Sequence, residues 1–196
     1  MLKFCQVSLL AVSIIFGFFG NNVQALPGQS TDEAVSWING NATLRPALGD
    51  GLVVRKSETP AHRFQFQASV LPPGRVHFPR DRTMIRSERF SFYDMINGVT
   101  NQRLIESLRN IYGVNIYQDF QRSELVYEYP SQEMIQRSRR QNLPLLAARK
   151  GELRRGEKYA YWIEIVETEN NLAFDGQMTV FLPEDLEKLE QELRAH

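Results

Sequence analysis

Between residues 157 and 182 the chain alternates apolar and polar residues on either side of the dipeptide Asn170-Asn171, and that pattern constrains the fold more than any other stretch. Tyr159, Tyr161, Ile163 and Ile165 share one side of the first run, and Ala160, Trp162 and Val166 the other. Successive side chains of a strand point to opposite faces, so the run reads as a strand. Asparagine tolerates the positive φ of a tight turn, which brings residues 172–182 back antiparallel to the first strand. The hairpin is expected at the centre of a sheet.

Further strands follow from the same period. In residues 62–70, Phe64, Phe66, Ala68 and Val70 alternate with Arg63, Gln65, Gln67 and Ser69, and Pro72-Pro73-Gly74 then makes a stiff turn. Residues 83–93 alternate again, and Leu52, Val53 and Val54 open an earlier strand. Residues 114–120 and 124–129, rich in β-branched and aromatic side chains, read as a second hairpin joined by Gln121-Arg122-Ser123.

Helices are marked by caps and a 3.6-residue period. Thr100 caps a helix ending at Tyr112, with Leu104, Ile105, Leu108, Ile111 and Tyr112 on one stripe and Gly113 as the stop. Pro183, followed by Glu184 and Asp185, starts a final helix carrying Leu186, Leu189 and Leu193. Residues 32–38 form a short helix capped by Thr31 or Asp32, after a flexible lead-in at residues 26–31. Residues 131–142 read as an exposed helix anchored by Met134 and Ile135, and residues 143–155 as a mobile connection. Helices interspersed among hairpins predict a single α+β domain, a mainly antiparallel sheet with two or three packed helices.

The N-terminus has the organisation of an export signal. Lys3 precedes an apolar run over residues 4–20, broken only by Gln6, Ser8 and Ser13, and Val23 and Ala25 are short side chains three and one positions before a cut. Cleavage after Ala25 divides the chain into a signal peptide, residues 1–25, and a globular domain, residues 26–196. A periplasmic, lumenal or secreted address is the expectation. The rival reading is a retained anchor, which would be the chain's sole membrane contact. Cys5, the single cysteine, lies within the leader, so the mature domain is expected to fold without disulfides or thiolate metal ligands.

Charge is balanced in sum, with 23 basic and 23 acidic residues, but polarised along the chain. Residues 26–155 hold 19 basic and 13 acidic side chains, whereas residues 156–196 hold 3 and 10. Two arginine-rich clusters stand out: Arg75, Arg80, Arg82, Arg86 and Arg89, then Arg137, Arg139, Arg140, Arg149, Lys150, Arg154 and Arg155. Guanidinium forks suit carboxylates and phosphates. The weightier reading is that they pair with the acidic C-terminal segment or solvate exposed faces; the sharper one is an anion- or partner-binding face.

Motifs for nucleotide phosphates, serine hydrolases and zinc peptidases are missing. His62, His77 and His196 lack the close spacing of a metal site, and no cofactor is implied. The segment containing His77, Arg80, Asp81 and Arg82 holds an imidazole, a carboxylate and guanidiniums, which together suit an anionic ligand. The sequence favours a non-catalytic module that binds a partner protein or an anionic envelope component. The alternative is an exported hydrolase or ligand-processing enzyme using His77 and Asp81. Glu128 and Glu164, interleaved among the tyrosines, disfavour a nucleic-acid face.

Overall fold

A computed structural model describes residues 27–75, 82–168 and 170–195. The proposed leader and the candidate residues His77, Arg80 and Asp81 lie outside the described residues. Seven strands, β1 (Val53–Thr59), β2 (His62–Ser69), β3 (Ser87–Asp94), β4 (Glu124–Tyr129), β5 (Arg149–Arg155), β6 (Ala160–Glu167) and β7 (Ala173–Phe181), form one antiparallel sheet in the order β1-β2-β3-β7-β6-β5-β4. The β6–β7 hairpin sits at its centre. Asn171 takes a φ of 57° in the connecting turn, the left-handed conformation that the Asn-Asn signal anticipates.

The helices are α1 (Thr31–Gly40), α2 (Asn101–Tyr112), α3 (Val114–Arg122), α4 (Gln132–Gln141), α5 (Leu145–Ala148) and α6 (Leu186–Arg194). The architecture is single-domain α+β, with six α-helices among the described residues, where the sequence pattern marked four and expected two or three of them to pack on the sheet. On the first sheet face, α1, α2 and α3 pack their apolar stripes against Phe66, Phe90, Tyr161, Ile163, Met178 and Val180. Leu104, Leu108 and Ile111 of α2 are buried there, each contributing about 1.5–3 kcal/mol on being removed from water. On the second face, Leu186 and Leu189 of α6 pack with Leu153, Ala160, Trp162 and Phe181.

Four expectations are corrected. Residues 114–120 are helical, not a strand: Ile116 and Phe120, four apart, are buried against the core, and this packing overrides the β-propensity of Val114 and Ile116. Gly113, at φ 82°, ends α2 and starts α3. Residues 143–155 are not a mobile connection, because Leu145–Ala148 is helical and Arg149–Arg155 is the strand β5. Gly151 and Leu153 of β5 point inward, and its charged residues find partners on neighbouring strands, so a run that reads as polar surface is laddered into the sheet. The lead-in is ordered from residue 27, where Gly28 N donates to Ile85 O and Ile85 N to Gln29 O. Finally, the α1 cap is Ser30, in a capping box with Glu33.

Candidate functional site

Register places four side chains in a row across the second face. Gln67 of β2 lies opposite Arg89 of β3, Arg89 opposite Thr179 of β7, and Thr179 opposite Trp162 of β6. The row continues through Leu153 of β5 to Tyr127 of β4. Two residues along each strand a second row runs Gln65, Ser91, Gln177, Glu164, Gly151 and Tyr129. Over β1 to β3 this face is polar and open: Arg55, Arg63 and Arg89 are exposed, and Gln65, Gln67 and Ser91 are half-buried.

A cavity of about 220 Å³ lies where α4, α5 and α6 meet these rows. Its walls are largely apolar, from Met134, Leu145, Leu146, Leu189, Leu193 and the Trp162 ring. At the polar end, Trp162 Nε1 donates to Tyr129 Oη at 2.8 Å, and Tyr129 Oη donates to Glu164 Oε2 at 2.6 Å. Arg149 adds two bonds to the same carboxylate oxygen, from Nε at 3.0 Å and Nη2 at 2.7 Å. Burial, reinforced by the adjacent Glu164 carboxylate, pushes the Tyr129 phenol far above its ordinary range, so it stays protonated. Gly151 lies under Tyr129 because a Cβ there would overlap the phenol ring and the Ile163 carbonyl. Gly151→Ala is therefore expected to cost about 1–3 kcal/mol in urea denaturation and to disturb the Trp162 near-UV signal, by forcing Tyr129 off its seat.

One rim of the cavity is the Pro72–Arg75 turn, which α6 pins in place. Glu192 Oε2 accepts from Arg75 N at 2.7 Å, and Lys188 Nζ donates to the Pro73 and Arg75 carbonyls at 3.2 and 2.9 Å. On the other side of this turn is a polar recess of about 150 Å³, lined by Gln67, Ser69, Ser87, Arg89, Thr179 and the Leu71–Gly74 segment, and sharing Trp162 and Gly74 with the apolar cavity. Thr179 is only 2% exposed, and its hydroxyl has no hydrogen-bond partner among the described residues.

A third concavity, of about 260 Å³, opens on the first face around Lys56, Glu58, His62 and Arg103, with Phe64 and Phe92 beneath. His62 Nδ1 lies 3.0 Å from Glu58 Oε2, and its Nε2 lies 3.6 Å from Asp94 Oδ2. Asp94 accepts from the Asn97 and Ile96 amides and from Arg103, at 2.9, 3.0 and 2.7 Å. The Asn97 amide, followed by the Arg103 guanidinium, holds its carboxyl well below the usual carboxylate range. Among the described residues no group of three His, Cys, Asp or Glu side chains could hold a metal ion.

Among the described residues, the arginines singled out from the sequence do not share one surface. The pleat sends Arg149 and Arg155 to the second face and Lys150 and Arg154 to the first. Arg154 donates to Glu152 at 2.8 Å and to Ser123, and Lys150 pairs with Glu167. Arg137, Arg139 and Arg140 lie on α4, with Arg139 and Arg140 exposed in its last turn. From the first cluster, Arg86 reaches the acidic C-terminal segment, pairing with Glu184 at 2.6 Å and Asp185 at 2.8 Å. Arg82 is exposed at the edge of the described segment.

Sequence reading missed Tyr129, Trp162, Thr179 and Gln67 as a group. Tyr129 and Trp162 carried a signal only as aromatic rings at strand spacing, which reads more readily as core and cross-strand packing than as a ligand face. No protein-family model, no curated protein and no solved structure matches the chain, so its function is to be read from the geometry of these residues.

Proposed function

We propose that the chain is an exported, non-catalytic binding module whose ligand surface is the part of the second sheet face framed by α4, α5, α6 and the Pro72–Arg75 turn. The support is the closed state of the polar network beside the cavity. An acid, base or nucleophile needs a proton or lone pair directed at its substrate. Here the Tyr129 proton is committed to Glu164, and one Glu164 oxygen already accepts three donors. The cluster therefore positions the wall of a cavity, and the second Glu164 oxygen, in contact with Gln177 Nε2 at 3.4 Å, belongs to a side chain that does not line it. Apolar walls with a few convergent polar groups suit a small organic ligand. Arg89 in the adjoining recess, which has no carboxylate partner among the described residues, favours an anionic one, such as an envelope component.

Two measurements test the reading. Mass spectrometry of the natural product should find a chain beginning at Leu26 outside the cytoplasm; an intact chain from Met1 in the cytosol removes the export half. The second uses the Trp37→Phe variant, in which Trp162 is the remaining indole of the two in the sequence. Titration with n-hexanol should change Trp162 emission saturably, and Leu146→Phe, which fills the cavity, should abolish the response. Emission that drifts linearly with hexanol, or that ignores Leu146→Phe, sinks the cavity as a ligand site.

A further inference from the structure

We infer that the recess between the Pro72–Pro73 turn and the Gln67–Arg89–Thr179–Trp162 row is a carboxylate site, taking a small organic acid with an apolar body. This rests on the binding reading above and names the chemistry of its ligand.

The lining explains the choice. It contains one cation, Arg89, and no acidic side chain. Arg89 makes only a 3.4 Å contact with Gln67 Oε1 and has no carboxylate partner in any ion pair between described residues. Its neighbours toward the N-terminus and along the sheet behave differently: Arg86 and Arg149 are each neutralised by glutamate or aspartate. A guanidinium left with its fork open is matched by a planar carboxylate, which accepts two parallel N–H bonds. One strand further, about 5 Å away by the ordinary strand spacing, the Thr179 hydroxyl is buried without a partner. An orphaned buried hydroxyl is costly unless something completes it, and a ligand oxygen held by Arg89 is within reach of that strand.

The remaining wall sets the rest of the ligand. Trp162 has its Nε1 committed to Tyr129, so toward the recess it offers ring surface and no donor. Leu71, Pro72 and Pro73 face the same space. An aromatic ring with proline and leucine nearby accommodates a flat or aliphatic body. A phosphate dianion fits less well, because a single guanidinium neutralises half its charge and the other lining groups are neutral. The turn that closes the recess is held by Lys188 and Glu192 of α6, so its shape is set before a ligand arrives.

Benzoate is the probe, with benzamide as its uncharged isostere and inorganic phosphate as competitor, all read by calorimetry and by Trp162 emission in the Trp37→Phe background. Benzoate is expected to bind saturably and benzamide at least about tenfold more weakly, with phosphate failing to displace benzoate. Arg89→Gln should weaken benzoate roughly 10- to 100-fold, and Arg89→Lys, which keeps the charge and loses the fork, by less. Thr179→Val should weaken benzoate about 2- to 10-fold while leaving the urea midpoint unchanged or higher, since it removes an unpaired hydroxyl at nearly constant volume. Equal binding of benzoate and benzamide, indifference to Arg89→Gln, or displacement by phosphate overturns the proposal. Hexanol binding without benzoate binding overturns this site and leaves the binding-module reading standing. Failure of both probes removes both.

Discussion

Replacing Glu88 with Gln should raise stability at pH 8 by about 3 kcal/mol and leave it nearly unchanged at pH 4. Glu88 lies on β3, 0% exposed, with Ala68 and Val180 as its cross-strand neighbours. Tyr112 of α2 is the polar group facing it, and Tyr159 the next titratable group in reach. Burial pushes the carboxyl up from an ordinary 4.5 to about 7, with the Tyr112 hydroxyl opposing the shift only in part. Between those two values the unfolded chain has released a proton that the folded protein still holds. Stability therefore falls as pH rises, by about 1.4 kcal/mol per pH unit, and the loss is complete once the folded carboxyl has ionised. Glutamine resembles the protonated acid and does not titrate, so its stability curve should stay flat across that window. Urea denaturation from pH 4 to pH 8 measures the difference, and an equal gap at both ends would remove the account of a carboxyl forced to ionise in the core.

Replacing Asp119 with Ala should cost about 3–5 kcal/mol. Asp119 sits near the end of α3, 4% exposed, and accepts from four donors. Its Oδ1 takes the Glu157 and Lys158 amides at 3.0 and 3.2 Å, and its Oδ2 the Tyr159 amide at 3.4 Å and the Tyr161 hydroxyl at 2.7 Å. The carboxylate thus clamps the β5–β6 turn to the helix layer and satisfies a buried phenol. Truncation would leave these donors to compete for whatever water reaches them, and each unsatisfied buried group costs about 1–3 kcal/mol. Hydrogen exchange should show the Glu157 and Lys158 amides losing protection in the variant. A cost below about 1 kcal/mol, with those amides still protected, would show that the turn holds without the clamp.

The comparison between α3 and β5 shows where local reading failed. In α3, Val114, Ile116 and Phe120 fit an alternating pattern and Ile116, Tyr117 and Phe120 fit a helical stripe, and over nine residues the two periods are hard to separate. The choice was made by the first sheet face, which already has its strands and needs a helix to cover it. In β5 the sequence Arg-Lys-Gly-Glu-Leu-Arg-Arg reads as surface, since two of its seven residues are uncharged. It becomes a strand because β4 and β6 supply hydrogen-bond partners on both sides, and β6 also supplies Glu164 and Glu167 as ion-pair partners for Arg149 and Lys150. Neither fact is local. The arginine clusters misled for a related reason: residues adjacent in sequence on a strand point to opposite faces, so a run of charge becomes two half-sized patches.

The α+β class, the central hairpin and the helices beginning after Thr100 and Pro183 were determined by the sequence itself, through period, caps and turn residues that act within a few positions. The row of Gln67, Arg89, Thr179 and Trp162, and the closed network of Tyr129, Glu164 and Arg149, were decided only by the tertiary structure. Arg89 and Arg149 stand out in the sequence as members of arginine clusters and Trp162 as a large ring, but nothing local marks these residues as neighbours. They meet because the strands pair in one register, and shifting any strand by a single residue would turn its member of the row to the opposite face.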